Sequence, residues 1–229
     1  MDFNIRNIWA FEIGGVEVWI TQTIVNTWII MGLLILFALV VRIKYAGFTE
    51  VPGKFQNVVE GLVEAFDGFV RSTAGDKVAY IGNWFFTVFS FILVSNLSGM
   101  FGVRPPTADW ATTFAFAFAT FMLIHILGIR HRGAGGYFKS LCEPMLPFLP
   151  LNIIGELARP VSLSFRLFGN ILASLILMSM FYSLAPVFLL FVLPLPLHGF
   201  FDLFAGVLQT FIFCILSMTF IGTAATGDM

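Results

Sequence analysis

Charge is scarce in this sequence, and that scarcity decides the class of protein. Twelve Lys and Arg with thirteen Asp and Glu make up 11% of 229 residues, against roughly a quarter in an ordinary soluble domain. With 59% hydrophobic residues and a mean hydropathy of +0.94, the chain belongs in a bilayer. A net charge of −1 suggests no nucleic-acid partner. Only Cys142 and Cys214 are present, in different segments and without CxxC spacing, so neither a disulfide framework nor a metal site is indicated. No HExxH or GxSxG occurs and no Ser is paired with a His, which argues against an intramembrane hydrolase. There is no inverted repeat and no pair of broken helices in the two halves, which argues against a stand-alone proton-coupled secondary transporter. The opening "MDFNIRNIWAFEIGGVEVW" is mixed in charge and has no A-x-A cleavage pattern; it reads as mature sequence.

Five long apolar stretches fill the rest, at 19–41, 81–103, 110–129, about 151–185 and about 187–226. They are too long and too uniformly apolar for transmembrane β-strands, which alternate over about ten residues. The expected fold is an all-α polytopic membrane protein, read as a single transmembrane domain over 1–229. Between the first two stretches, "GKFQNVVEGLVEAFDGFVRS" sets Phe55, Val58, Val59, Leu62, Phe66 and Phe69 at helical spacing opposite Glu60, Glu64 and Asp67. That pattern predicts one amphipathic surface helix. Its acidic face is a poor match for anionic lipid, so packing on protein is expected to hold it.

Basic residues fall in the first loop (Arg42, Lys44, Lys54, Arg71, Lys77) and in the third (Arg130, Arg132, Lys139). Basic loops stay cytoplasmic, so the N-terminus is expected outside and the C-terminus inside. A span needs about 20 residues, and stretches four and five are longer than that even without their Pro-broken ends. Two strongly tilted helices, forming a hairpin about Ala185–Pro186, are expected.

The ionisable groups in this hairpin are few: Glu156, Arg159, Arg166, His198 and Asp202. Ser162, Arg166 and Asn170 lie four apart, and Arg159 lies seven before Arg166, so they share one helix face. His198, Asp202, Gly206 and Gln209 form a stripe on the next helix. A charge at mid-bilayer costs about 2.5–3.5 kcal/mol or more and therefore faces a partner or water. Two polar stripes on a hairpin read as the lining of an ion path. His198 and Asp202 at i,i+4 also fit a structural pair, and Arg159 beside Pro160 fits an interfacial anchor. His125 reads as a satisfied core histidine, and Asn96 and Ser98 as glue between helices.

The stretch "RPVSLSFRLFGNILA" (159–173) resembles the signature of the a subunit of F-type ATP synthases. "VPGKFQNVVEGLVE", "FSFILVSNLSGMFG", "RPPTADWATT" and "GVLQTFIFCILSMTFIG" are similar to other segments of that family, in the family's order. The resemblance implies a non-catalytic, ion-translocating stator subunit of the cell inner membrane, with a c-subunit ring, b subunits and lipid as partners and no cofactor. It implies two offset half-channels separated by Arg166, with Arg159 as its structural neighbour. Glu156 and Ser162 then fall on the cytoplasmic side, and Asn170, Gln209, Asp202 and Asp109 on the external side. Two departures stand out. Leu175 occupies the place of an acidic residue or His nine positions after the arginine, and Ala111 replaces an Asn. Asp202 is expected to act as the intramembrane relay, helped by His198, and Gly199, Gly206 and Ala173 are expected to give the ring a close sliding surface.

Overall fold

The computed structural model describes residues 7–13, 16–49, 51–142, 145–186 and 189–226. The first six residues of the N-terminal segment read as mature lie outside them, as do residues 187–188 just beyond the expected bend. Among the described residues, five helical segments are long and apolar enough to cross a membrane: Gln22–Tyr45, Asp76–Phe101, Trp110–Leu141, Leu146–Leu184 and Pro194–Thr226.

The chain opens with an antiparallel ribbon, β1 (Asn7–Ile13) and β2 (Val16–Thr21), that leads straight into α1 (Gln22–Tyr45). This ribbon was not expected from the apolar pattern. Glu12 and Glu17 are direct cross-strand partners, a like-charge pairing that weakens it. α1 is apolar almost all round and keeps Arg42 and Lys44 for its last turn, where cations suit the helix dipole.

α2 (Lys54–Ala74) is the amphipathic helix, ended by Gly75 at φ +85°. It packs on other protein elements, as its acidic face led us to expect. Phe66 meets Phe86 and Phe89, and Phe69 stacks on Phe211 with ring centroids 5.0 Å apart. Its last residue, Ala74, lies directly on Gly222: a Cβ on that glycine would sit 2.7 Å from the Ala74 carbonyl oxygen. On its polar side Arg71 bonds Asp67 at 2.7 Å and Asp76 at 3.2 Å, and the Asp67 bond above all raises the guanidinium further above its already high range.

α3 (Gly82–Leu97) continues into a 3₁₀ turn at Ser98–Phe101 that stops at Gly102, φ +70°. The connection to α4 (Trp110–Leu141) tucks Pro106, Thr107 and Ala108 into the bundle, while the Arg104 carbonyl accepts a bond from Asn26 of α1. α4 outruns its apolar stretch and kinks at Gly133, φ +75°. The chain beyond the kink brings the Tyr137 ring against Gly128, where a Cβ would lie 2.7 Å from it.

α5 (Leu149–Leu184) is 36 residues long with Pro160 inside it. Two short pieces follow, α6 (Leu189–Val192) and α7 (Pro194–His198), then a π-helical turn at Gly199–Phe204 and α8 (Ala205–Thr226). The two arms run antiparallel: Arg159 lies over Phe220, Asn170 reaches Ala205, Ser174 reaches Asp202 and Tyr182 reaches His198. Val70, Phe85, Ile124, Leu167 and Phe213 come together from α2, α3, α4, α5 and α8 in the main apolar core.

Candidate functional site

Helical spacing sorts α5 into two sides. Glu156, Pro160, Leu163, Leu167, Ile171 and Ser174 recur every three or four residues and are buried. Ser162, Phe165, Arg166 and Ala173 point the other way and are exposed. Arg166 therefore stands on an otherwise apolar outer face, with Ser162 one turn before it. Among the described residues no carboxylate comes within ion-pair distance of its guanidinium.

A cleft opens beside it between α5 and α8, lined by Gly155, Arg159, Ser162, Arg166, Leu216 and Phe220. Arg159 and Arg166 thus share one groove, as their seven-residue spacing requires. Their electrostatic situations differ. Arg159 donates to Glu156, at 2.7 Å to one carboxylate oxygen and 2.9 Å to the other, and covers the Phe220 ring. Glu156 is only 6% exposed, so its charge is tolerable because the arginine neutralises it.

A second polar group lies eight residues along α5 from Arg166, about 12 Å at 1.5 Å per residue. Here the π turn carries Asp202 between the two arms. Its Oδ2 lies 2.5 Å from His198 Nδ1, and Ser174 donates to its Oδ1 at 3.3 Å. His198 Nε2 lies 2.9 Å from the hydroxyl of Tyr182. Gly99 of the 3₁₀ turn forms the floor, and a Cβ there would be 3.4 Å from the carboxyl group. A π turn inserts one residue into a helical turn and re-aims its side chains, and such turns concentrate at functional sites.

Between the two groups sit Asn170, which donates to the Ala205 carbonyl at 3.4 Å, and Gln209, which is buried. Among the described residues the Gln209 Nε2 has no hydrogen-bond partner. Asp109 stands apart: it caps α4 by accepting from the Ala111 N–H at 3.2 Å. Gly206 does not face outward as expected. It is buried against Asn96, its added Cβ falling 3.2 Å from that residue's own. Gly199 and Ala173 keep the expected open aspect.

Nothing in the residue pattern points to Tyr182 or Ser174, because a hydroxyl among apolar residues reveals its partner only after the arms fold. Asn96 does act between helices: it donates to the Gly206 carbonyl and to Thr210 at 3.0 Å each, and accepts from Thr107 at 2.7 Å. Ser98 bonds within its own turn, to the Ser95 carbonyl. His125 is satisfied by the Phe121 carbonyl at 3.0 Å. No group of three His, Cys, Asp or Glu able to hold a metal ion occurs among the described residues.

Comparison with known proteins places these residues in context. The family described as ATP synthase A chain matches residues 24–222. The chain is 36% identical over 226 residues to ATP synthase subunit a of Moorella thermoacetica, covering 98% of this chain and 99% of that one. It is 40% identical over 208 residues to ATP synthase subunit a 2 of Syntrophotalea carbinolica, covering 89% and 85%. It is also 35% identical over 225 residues to the sodium ion specific ATP synthase subunit a of Propionigenium modestum, covering 91% and 75%.

Proposed function

This chain belongs to the ATP synthase A chain family, and on that premise we propose that it is the ion-translocating stator of the Fo sector, with Arg166 as its gate. One observation carries the reading: a guanidinium without a carboxylate partner among the described residues, exposed on an apolar face, stands between two separate polar groups on the same hairpin. A permanent cation in that position attracts an ionised carboxylate on a neighbouring ring subunit. Arginine cannot give up its proton, so it blocks direct passage between the two groups.

Each side then serves as one half-channel. The cleft at Glu156, Arg159 and Ser162 opens on one side of the gate, and the Asp202 group with Asn170, Gln209 and Asp109 on the other. The charge bias of the loops assigns the first to the cytoplasm and puts the N-terminus outside. A ring carboxylate approaching Arg166 must release its ion to ionise, and must take one up again to leave it. Ion flow and ring rotation are thereby locked together. The c-ring and the b subunits are the proposed neighbours, the inner membrane is the location, and 1–229 acts as one membrane domain without catalysis of its own.

The test is ATP-driven pumping and ATP synthesis by the assembled complex in vesicles. Arg166→Ala is expected to abolish both and to leave a passive leak. Sustained voltage-driven flux through this chain reconstituted without c subunits would overturn the reading in favour of a stand-alone transporter.

A further inference from the structure

Where α2 ends and α3 begins, the chain forms a cavity of about 480 Å³ far from Arg166 and the π turn. Its two halves differ in character. Val63 and Phe66 of α2 and Phe86 of α3 line one half, and Val63 is 52% exposed. The other half carries Asp67, Arg71, Asp76, Tyr80 and Asn83. Arg71 bridges the two acids, donating from Nε to Asp67 Oδ2 at 2.7 Å and from Nη1 to Asp76 Oδ1 at 3.2 Å. The exposed Tyr80 ring lies beside His131 of α4, with centroids 6.3 Å apart. We propose that this cavity holds the headgroup of a phospholipid whose phosphodiester is joined to a primary ammonium, as in phosphatidylethanolamine, with an acyl chain along Val63, Phe66 and Phe86. The inference needs only that the chain spans a membrane, and it is independent of the stator reading.

Charge, donor count and shape select that headgroup. Two carboxylates face one guanidinium, so the lining carries a net negative charge, and Lys77, which follows Asp76, is not part of it. An anionic headgroup would meet repulsion there, the same mismatch expected of the acidic face of α2. A zwitterion fits, with its cation toward the acids and its phosphate toward Arg71. An ionised carboxylate has about four acceptor sites and a guanidinium five N–H donors. Among the described residues each acid spends one such site on Arg71, and Arg71 spends two of its donors. A primary ammonium brings three N–H donors to the remaining acceptor sites, whereas a quaternary choline cation has none to give. The phosphodiester oxygens take the remaining Arg71 donors, for which the planar fork is suited, and the Tyr80 hydroxyl and Asn83 amide flank them. The volume falls within the roughly 300–1,000 Å³ of small-molecule sites. A soluble phosphoethanolamine would leave Val63, Phe66 and Phe86 uncovered, and a lipid covers them.

The experiment uses the assembled complex in nanodiscs made with equal parts of phosphatidylethanolamine, its N-methyl and N,N-dimethyl forms, phosphatidylcholine and phosphatidylglycerol. After partial delipidation, native mass spectrometry reads which lipids stay with the complex, and the difference between wild type and variant reports this cavity alone. Phosphatidylethanolamine is expected to be retained about fivefold over phosphatidylcholine, the size of two exposed ion pairs. Retention is expected to fall with each added methyl group, a series that tests the site without altering the chain. Asp67→Asn combined with Asp76→Asn is expected to remove the preference, and Arg71→Gln to weaken retention of every phospholipid at this place. A phosphatidylethanolamine with a diazirine in its acyl chain is expected to label Val63, Phe66 or Phe86, mapped on proteolytic peptides. Equal retention across the methyl series, a preference that survives the double substitution, or labelling confined to other helices overturns the proposal. A protein partner that crosslinks at Tyr80 in place of lipid overturns it too, and makes the cavity a protein interface. A complex that keeps the lipid preference but cannot pump would count against the stator reading alone.

Discussion

Arginine and lysine at position 166 would carry the same charge and still behave differently. A lysine desolvated against a ring subunit can lose its proton, whereas a guanidinium keeps its own. Arg166→Lys is therefore expected to fail in ATP synthesis almost as completely as Arg166→Ala, measured in vesicles as synthesis rate and passive proton permeability. Arg159 makes the opposite case. Its partner Glu156 is buried, so Arg159→Lys keeps the pair and is expected to be mild. Arg159→Ala strands a buried carboxylate at a cost of about 3–5 kcal/mol, seen as a lower melting temperature of the complex. Should Arg159→Lys abolish synthesis while Arg166→Lys spares it, the gate would belong at the other arginine. Asn96 offers a purely structural control. Its three bonds join α3 to α8 and to the α3–α4 connection, and Asn96→Ala is expected to cost about 1–2 kcal/mol of stability in lipid, since such bonds average near 0.6 kcal/mol each.

The five apolar spans and the amphipathic α2 were legible because hydrophobic length and helical period leave direct traces in sequence. Features that depend on which residue meets which were not. The Gly133 kink lies just beyond the expected end of the third stretch, among glycines and basic residues that read simply as loop. The π turn at Gly199–Phe204 has no compositional mark, and without it the facing of Asp202 toward Ser174 could not be deduced. Gly206 was assigned to an outer face by its spacing from Asp202, but the π turn shifts the register between them, and the glycine turns to Asn96. The β1–β2 ribbon did carry a signal, Gly14-Gly15 between aromatic and β-branched residues, a known hairpin pattern that is short beside the apolar runs following it. α2 gives an element-level prediction. At Gly222 an added Cβ would meet backbone atoms of Ala74 at 2.7 and 3.2 Å, which no rotamer change can relieve. Gly222→Ala is expected to cost about 1–3 kcal/mol, the usual range for overpacking, and to raise hydrogen exchange at the C-terminal end of α2. Unchanged exchange there would mean that α2 is held from elsewhere.

At the scale of the whole molecule, α5 presents a long outer face without cover from the rest of the chain. Phe165, Leu177 and Met180 of α5 are each about half exposed, and Ser162, Arg166 and Ala173 share that outer aspect. Lipid could cover the apolar members, but an arginine facing hydrocarbon costs at least about 2.5–3.5 kcal/mol. A partner carrying an opposite charge removes that cost, and small residues such as Ala173 let it approach closely. The opposite side of α5 is closed, with Leu167 fully buried and Ile171 nearly so. Single cysteines introduced at Ser162 or Ala173, in a chain whose own Cys142 and Cys214 have been replaced, are therefore expected to crosslink to cysteines on the outer helices of the ring. Cysteines at Leu167 or Ile171 are expected to remain unlinked under the same oxidant. The measurement is a gel shift of the complex after oxidation. Crosslinks confined to positions 167 and 171 would show that α5 is rotated by about half a turn in the assembly, and Arg166 would then face this chain's own core instead of the ring.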